Sequence, residues 1–164
     1  MGGPRRSPGE AVHALSEAID VIRAIWDDQP GGVFVDGEQY RVHGAKRGPA
    51  PAHDISIWVG AYGPRMLRLV GEKADGWLPS TSYMKPGDLE RGNRIIDEAA
   101  QAAGRDPRKI QRLLNFSPAE VDNGRLFEYG LENGVSTFIL WADDSDAITQ
   151  FGKIAQQVRQ AAEK

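Results

Sequence analysis

One stretch restricts this chain more than any other: residues 55–80, ISIWVGAYGPRMLRLVGEKADGWLPS. It opens with ISIWVGA, a β-rich apolar run of the kind that a parallel sheet buries on both faces. Gly60 ends the run, and Tyr62-Gly63-Pro64 turns the chain. Pro64 suits the first position of a helix, where a missing N–H costs nothing. Met66, Leu67, Leu69 and Val70 then line one helical face. Asp75-Gly76 closes the helix, and Trp77-Leu78 begins a second apolar strand. Strand, helix and strand within so few residues predict a right-handed βαβ unit.

The turn in this unit lies where a parallel strand ends and a helix begins. Backbone N–H groups between Ala61 and Arg65 have no helical acceptor there, and the positive end of the helix dipole stands behind them. Phosphates bind at such places. Gly60 and Gly63 let an anion approach the backbone, and Arg65 adds a cation. Most βα turns carry a glycine or proline simply to turn, so the spacing alone leaves both readings open.

The rest of the chain supplies the partners of this unit. Ser7-Pro8-Gly9-Glu10 is a capping box, followed by Val12, Leu15, Ile19, Ile22 and Trp26 at helical spacing. VFV and QYRV flank Asp36-Gly37, which predicts a hairpin over residues 33–42. Residues 43–54 read as a Pro/Gly loop. Leu89, Ile95, Ile96, Ala99 and Ala103 mark a helix from Asp88, with Gly104 at its end. Asp106-Pro107 starts one short turn. QRLLNF (111–116) is a third strand. Asp122 caps a short helix through Phe127 and Leu131, ended by Gly134. VSTFILW (135–141) is a fourth strand, and Ile148, Phe151, Ile154 and Val158 build a closing helix. With strands at 55–61, 76–79, 111–116 and 135–141, the alternation implies a parallel sheet covered by helices.

Several functions are excluded or left without support. The 164 residues carry 23 acidic and 20 basic side chains spread along the chain, so no basic groove for nucleic acid is expected. With no cysteine there is no disulfide, thiolate metal site or cysteine nucleophile. No apolar run reaches the length of a membrane span, and MGGPRRSPGE lacks the apolar core of a signal peptide; a cytoplasmic location is the expectation. His13, His43 and His53 form no HxH or HxxxH pair, so no metal is assigned. Asp143-Asp144-Ser145-Asp146 reads as an acidic helix N-terminus, and Lys46-Arg47 as a solvated loop pair. Trp58, Trp77 and Trp141 read as core filling. Ser80 and Ser82 follow the second strand without a base beside them, so no catalytic side chain is assigned.

Taken in order, RRSPGEAVHALSEAIDVIRAIW, FVDGEQYRV, GPAPAHDISIWVGAYGPRMLRLVGEKADGWLPS, IDEAAQAAGRDP and GVSTFILW resemble the C-terminal half of the bacterial luciferase-like monooxygenases. That family includes flavin-dependent monooxygenases and oxidoreductases dependent on the deazaflavin coenzyme F-420. The pieces cover most of the chain, and the ordered set is specific where each piece alone is weak. The resemblance implies a TIM barrel with a hairpin insertion and with FMN or coenzyme F-420 in its mouth. It implies that the cofactor phosphate sits on Gly60, Ala61, Tyr62, Gly63, Pro64 and Arg65.

A TIM barrel needs eight βα units, and four are counted here. The expected fold class is therefore α/β, a partial (half) TIM barrel of four parallel βα units plus an N-terminal helix and a small β-hairpin, as a single domain over residues 1–164. The strands that bear most of the family's catalytic side chains have no counterpart in this sequence. Two functional readings follow. One is a flavin- or deazaflavin-dependent oxidoreductase represented by its cofactor-phosphate half, inactive alone and with its substrate undefined. The other is a non-catalytic half-barrel assembly or phosphate-binding module, with no cofactor bound. Both predict a homodimer. Ile57, Val59, Ile139 and Trp141 cannot all face helices, because alternate strand side chains point to opposite faces.

Overall fold

The computed structural model describes residues 5–120, 125–142 and 144–162. The chain divides into two compact units, Met1–Ile57 and Trp58–Lys164.

In the first unit, α1 (Pro8–Trp26) starts at the predicted capping box. The Ser7 N–H donates to Glu10 Oε2 at 2.7 Å, and the Glu10 N–H donates back to Ser7 Oγ at 3.4 Å. The hairpin pairs β1 (Val33–Asp36) with β2 (Arg41–Ala45) in antiparallel fashion. It runs to Ala45 rather than stopping at residue 42. A register shift between Val33 and Phe34 brings Val33 opposite Ala45, and Gly44 at φ 70° accommodates the kink. The hairpin turn closes with the Gly37 N–H on the Tyr40 carbonyl at 3.0 Å. Glu17 of α1 accepts the N–H groups of Glu38, Gln39 and Tyr40 at 3.0, 2.8 and 2.8 Å. Arg47 donates to the carbonyls of Ala24, Gln29 and Gly31. It serves the C-terminal end of α1, a favoured place for a cation.

In the second unit, β3 (Trp58–Val59), β4 (Gly76–Trp77), β5 (Gln111–Phe116) and β6 (Thr137–Leu140) form one sheet in the order β3-β4-β5-β6, every neighbour parallel. Helices α2 (Pro64–Lys73), α3 (Asp88–Ala102), α4 (Arg125–Glu132) and α5 (Ser145–Ala162) alternate with the strands. This is the expected α/β half-barrel of four parallel βα units. Asp122, expected to cap α4, and Asp143, of the acidic run, lie outside the described residues, as does the side chain of Val158.

Three strands are shorter than expected. β3 covers two residues instead of 55–61, because its sheet neighbour among the described residues begins at Gly76, in register with Trp58. Ile55 and Ser56 stay outside the ladder, and Ile55 is exposed. β4 stops at Trp77 rather than residue 79. Single bonds continue its ladder, from the Leu78 N–H to the Val59 carbonyl and from the Asn115 N–H to the Pro79 carbonyl. β6 covers 137–140 instead of 135–141: the Val135 N–H turns back to the Gly130 carbonyl of α4.

The two faces of the sheet differ in kind. On the helix side, Phe116 packs against Phe127 and Phe151, with ring centroids 5.6 and 5.5 Å apart, and Phe138 meets Phe127 at 5.0 Å. Trp77 and Leu114 are buried on this side, with Leu67, Val70, Ile96 and Ala100 of the helices. Arg112 is a buried cation among them. It donates to Asn93 Oδ1 (2.8 Å), the Ile110 carbonyl (2.8 Å) and Asp97 Oδ1 (2.6 Å), so β5 is bolted to α3. Burial lowers the basicity of its guanidinium, and Asp97 acts against that shift.

Alternation puts Trp58, Gly76, Leu78, Leu113, Asn115, Ile139 and Trp141 on the opposite, inner face. A side chain at Gly76 would meet Trp58 Cδ1 at 2.6 Å and Leu113 Cδ1 at 2.9 Å, so the Trp58 indole lies across Gly76 toward Leu113. Leu113 is buried in this way, whereas Trp58 remains 44% exposed and Trp141 69%. Of the four apolar residues expected to divide between the faces, Ile139 and Trp141 fall on the inner one. Val59, buried, falls on the helix side.

Candidate functional site

The turn after β3 is held at two points. The indole Nε1 of Trp77 donates to the Ala61 carbonyl at 2.9 Å, in the core. The Ser80 N–H donates to Tyr62 Oη at 2.9 Å. The peptide joining Ala61 and Tyr62 is trans and planar, so its carbonyl and N–H point in opposite directions. With the carbonyl drawn inward to Trp77, the Tyr62 N–H faces away from the core.

Gly63 then caps α2 in an extended conformation (φ −83°, ψ 152°), and Pro64 takes the first helical position, as its fixed φ favours. No acidic residue stands in the first turn of α2. The N–H groups of Arg65 and Met66 lack helical acceptors at this end, and the Arg65 side chain is exposed beside them. A Cβ placed on Gly63 would meet nothing within 4 Å, whereas one on Gly60 would come to 3.3 Å from the Leu78 carbonyl oxygen. The predicted residues Gly60, Ala61, Tyr62, Gly63, Pro64 and Arg65 thus form one continuous turn with open space at its centre. Ala61, 1% exposed, is an anchor and not a surface contact. The donor set and the space fit a phosphate.

Beside the turn, at the C-terminal ends of β4, β5 and β6, a cavity of about 300 Å³ opens between Ser80, Tyr83, Asn115, Ser117 and Trp141. Asn115 Nδ2 donates to Ser80 Oγ at 3.1 Å. Tyr62 and Tyr83 meet edge to face at 5.7 Å. Tyr83 and Trp141 are largely exposed, so among the described residues this mouth has an aromatic rim and a polar floor but no roof.

Glu120 borders this region, and the sequence reading passed over it. Burial pushes its carboxyl up, but hydrogen bonds from Ser117, Thr81 and Ser82 outweigh that and hold it below the ordinary glutamate range. Its Oε2 accepts the Ser117 N–H at 2.7 Å and the Ser117 hydroxyl at 2.8 Å. An ionised, saturated acceptor of this kind orders a loop and is a poor general acid. The signal was available: Ser117-Pro118-Ala119-Glu120 repeats the Ser-Pro-x-Glu spacing of the capping box at Ser7.

The remaining candidates take other roles. His13 pairs with Glu38 at 3.6 Å on the surface, and His43 lies exposed on β2. Asp144 Oδ1 accepts the Ala147 N–H at 2.7 Å, as a helix cap does. Among the described residues, no group of three His, Asp or Glu side chains comes together to hold a metal. Ser80 faces the Asn115 amide. No helix among the described residues is long and apolar enough to cross a membrane.

A parallel βα sheet with helices between its strands and an open mouth at its strand C-termini defines a half-barrel of the (β/α)₈ class. The chain belongs to the luciferase-like monooxygenases, whose family model matches residues 2–124. It is similar to the phthiodiolone/phenolphthiodiolone dimycocerosates ketoreductase of Mycobacterium tuberculosis (strain ATCC 25618 / H37Rv), 36% identical over 116 residues, 67% of this chain and 28% of that one. It is similar also to the 5,10-methylenetetrahydromethanopterin reductase of Archaeoglobus fulgidus, 37% identical over 68% of this chain and 32% of the relative. Among solved structures, an F-420-dependent secondary alcohol dehydrogenase in complex with an F-420–acetone adduct superposes with a TM-score of 0.73 at 17% identity. That superposition covers 85% of this chain and 58% of the other, and shows the shared fold. The coenzyme F-420-dependent tetrahydromethanopterin reductase of Methanopyrus kandleri superposes with a TM-score of 0.53 at 30% identity, over 63% and 29% of the two chains. The chain thus spans about a third of the curated relatives it matches and just over half of the dehydrogenase.

Proposed function

We propose that this chain supplies the cofactor-phosphate half of a flavin- or deazaflavin-dependent oxidoreductase, and that the turn of Gly60, Ala61, Tyr62, Gly63, Pro64 and Arg65 holds the phosphate of FMN or coenzyme F-420. The observation that carries the reading is the doubly held turn itself. Trp77 fixes its backbone at the Ala61 carbonyl, the Ser80 N–H holds the Tyr62 hydroxyl, glycine leaves its centre open, and the first turn of α2 carries Arg65 and no carboxylate. The 30%-identical reductase named for coenzyme F-420 supports the cofactor class.

The cofactor supplies the hydride or oxygen chemistry when bound. The chain's own residues bind the phosphate through N–H groups and Arg65, and offer Tyr62, Tyr83 and Trp141 as apolar surface beside it. They do not enclose a ring system or exclude water from it, and turnover by this chain alone is not expected. The unroofed mouth favours a second reading, in which the half-barrel binds a phosphate ester without catalysis. In both readings the working form is a homodimer in the cytoplasm.

The test is an amide NMR titration of the 164-residue chain with FMN and with inorganic phosphate. The Tyr62, Gly63 and Arg65 amides should move together and saturably with both. Shifts confined to other segments would remove the phosphate from this turn.

A further inference from the structure

On the helix side of the sheet a second cavity, of about 490 Å³, lies between Met84, Pro86, Leu89, Leu114, Leu126 and Tyr129. Leu89 and Leu114 are buried and form its floor. The cavity belongs to the interior of the second unit and not to an end of the sheet. Leu114 lies on β5, which has β4 on one side and β6 on the other, and the walls come from the start of α3 and from α4. The lip is held by hydrogen bonds. The Tyr129 hydroxyl donates to Glu90 Oε2 at 2.7 Å and ties α4 to α3. Opposite, residues 85–88 form a turn, in which the Lys85 N–H donates to Asp88 Oδ2 at 2.9 Å and the Asp88 N–H to the Lys85 carbonyl at 3.0 Å.

We propose that this cavity binds a neutral, apolar small molecule the size of two fused rings, and that its occupant bears on the mouth through the turn at residues 81–83. The walls are aliphatic and aromatic, as in most small-molecule sites of about 300–1,000 Å³. The hydroxyls beside them are already engaged, Tyr129 on Glu90 and Thr81 on the Asn115 carbonyl at 3.3 Å. The two charges at the rim, Lys85 and Glu90, are exposed and opposite in sign. A charged ligand would give up hydration against these walls and gain no net countercharge. The volume is about three times the ~150 Å³ of an apolar cavity that encloses benzene, which leaves room for a second ring. The link to the mouth is a shared wall. Thr81–Tyr83 make a single 3₁₀ turn, of which Thr81 lines this cavity while Ser82 and Tyr83 line the mouth.

The test is an NMR titration of the 164-residue chain with 2-naphthol, and with 2-naphthoate as the charged counterpart of the same ring system. The expected result with 2-naphthol is saturable movement of the Leu114, Leu126 and Tyr129 amides, with Tyr83 following, and nuclear Overhauser contacts from the Leu114 and Leu126 methyls to the naphthol ring. 2-Naphthoate should bind about tenfold more weakly or worse. Leu126→Trp enlarges a half-buried wall residue into the cavity and should weaken 2-naphthol by about tenfold or more, with circular dichroism checking the fold. The methyl contacts in wild type decide the matter even where that variant does not fold. Absence of those contacts, equal binding of 2-naphthoate, or unchanged affinity in a folded Leu126→Trp would overturn the site. A Tyr83 amide that stays still while Leu114 and Leu126 saturate would overturn the link to the mouth. These amides differ from the Tyr62, Gly63 and Arg65 amides that report the phosphate turn, so either reading can fail without the other.

Discussion

Gly92 of α3 lies against the indole of Trp77 so closely that a Cβ at position 92 would overlap the ring. The same indole donates its N–H to the Ala61 carbonyl. A glycine in one helix therefore sets the depth of a tryptophan in the neighbouring strand, and that tryptophan sets the backbone of the candidate phosphate turn.

Replacing Gly92 with Ala should raise helix propensity by up to about 1 kcal/mol and cost about 1–3 kcal/mol in overpacking. We predict a net loss near 1 kcal/mol in urea unfolding, together with a shifted Tyr62 amide resonance. An unchanged midpoint and an unmoved Tyr62 amide would show that the contact is slack.

Arg112 and Asp97 make the second prediction. Asp97→Ala leaves a buried guanidinium with only Asn93 and a carbonyl for company. Asp97 is itself 45% exposed, so the loss should fall well below that of a fully buried pair, at about 1–2 kcal/mol. Unfolding measured at pH 7 for Asp97→Ala and Asp97→Asn should rank the alanine variant lower. Equal stability of both with wild type would mean that solvent already serves Arg112.

Glu17 predicts a pH dependence. Burial pushes its carboxyl up, but the N–H groups of Tyr40, Gln39 and Glu38, with His13 nearby, outweigh it and hold the carboxyl below the ordinary glutamate range. A group whose pKa is lowered by folding contributes stability above its unfolded value and loses it as pH falls through the folded one. Protection of the Glu38, Gln39 and Tyr40 amides, taken relative to the intrinsic exchange rate at each pH, should therefore fall on acidification below the ordinary glutamate range. In Glu17→Gln it should be low already at pH 7. Gly37 belongs to the same contact, since a side chain there would strike the Glu17 carboxylate. Equal protection in wild type and variant would show that the hairpin turn stands without Glu17.

Much of this architecture is legible in the sequence because it rests on local periodicity and punctuation. The capping box at Ser7, Pro64 at the start of α2, Gly104 after α3 and the apolar run before Trp141 each report an element through neighbouring residues alone. What stayed hidden depends on distance in space. Gly92 reads locally as a weak spot in a helix, and only its contact with Trp77 explains it. Arg47 reads as a solvated loop cation, yet its guanidinium reaches back to Ala24 at the end of α1. The strand at 55–61 reads as fully buried, but its pairing is limited by a neighbour that starts at Gly76. The 60–65 turn was legible as a strand–glycine–helix junction. Its two anchors, Trp77 and Ser80, were not, because nothing in the spacing says which side chain returns to the turn.

The central claim is that this turn recognises a phosphate, and FMN and riboflavin differ by that group alone. Isothermal titration of the 164-residue chain with each, for wild type, Gly63→Val and Arg65→Ala, isolates it most directly. The account predicts that wild type binds FMN at least about tenfold more tightly than riboflavin, the scale of one or two charge-assisted hydrogen bonds. The gap should narrow in Arg65→Ala and close in Gly63→Val. Riboflavin binding as tightly as FMN in wild type, or an FMN preference that survives Gly63→Val intact, would contradict it.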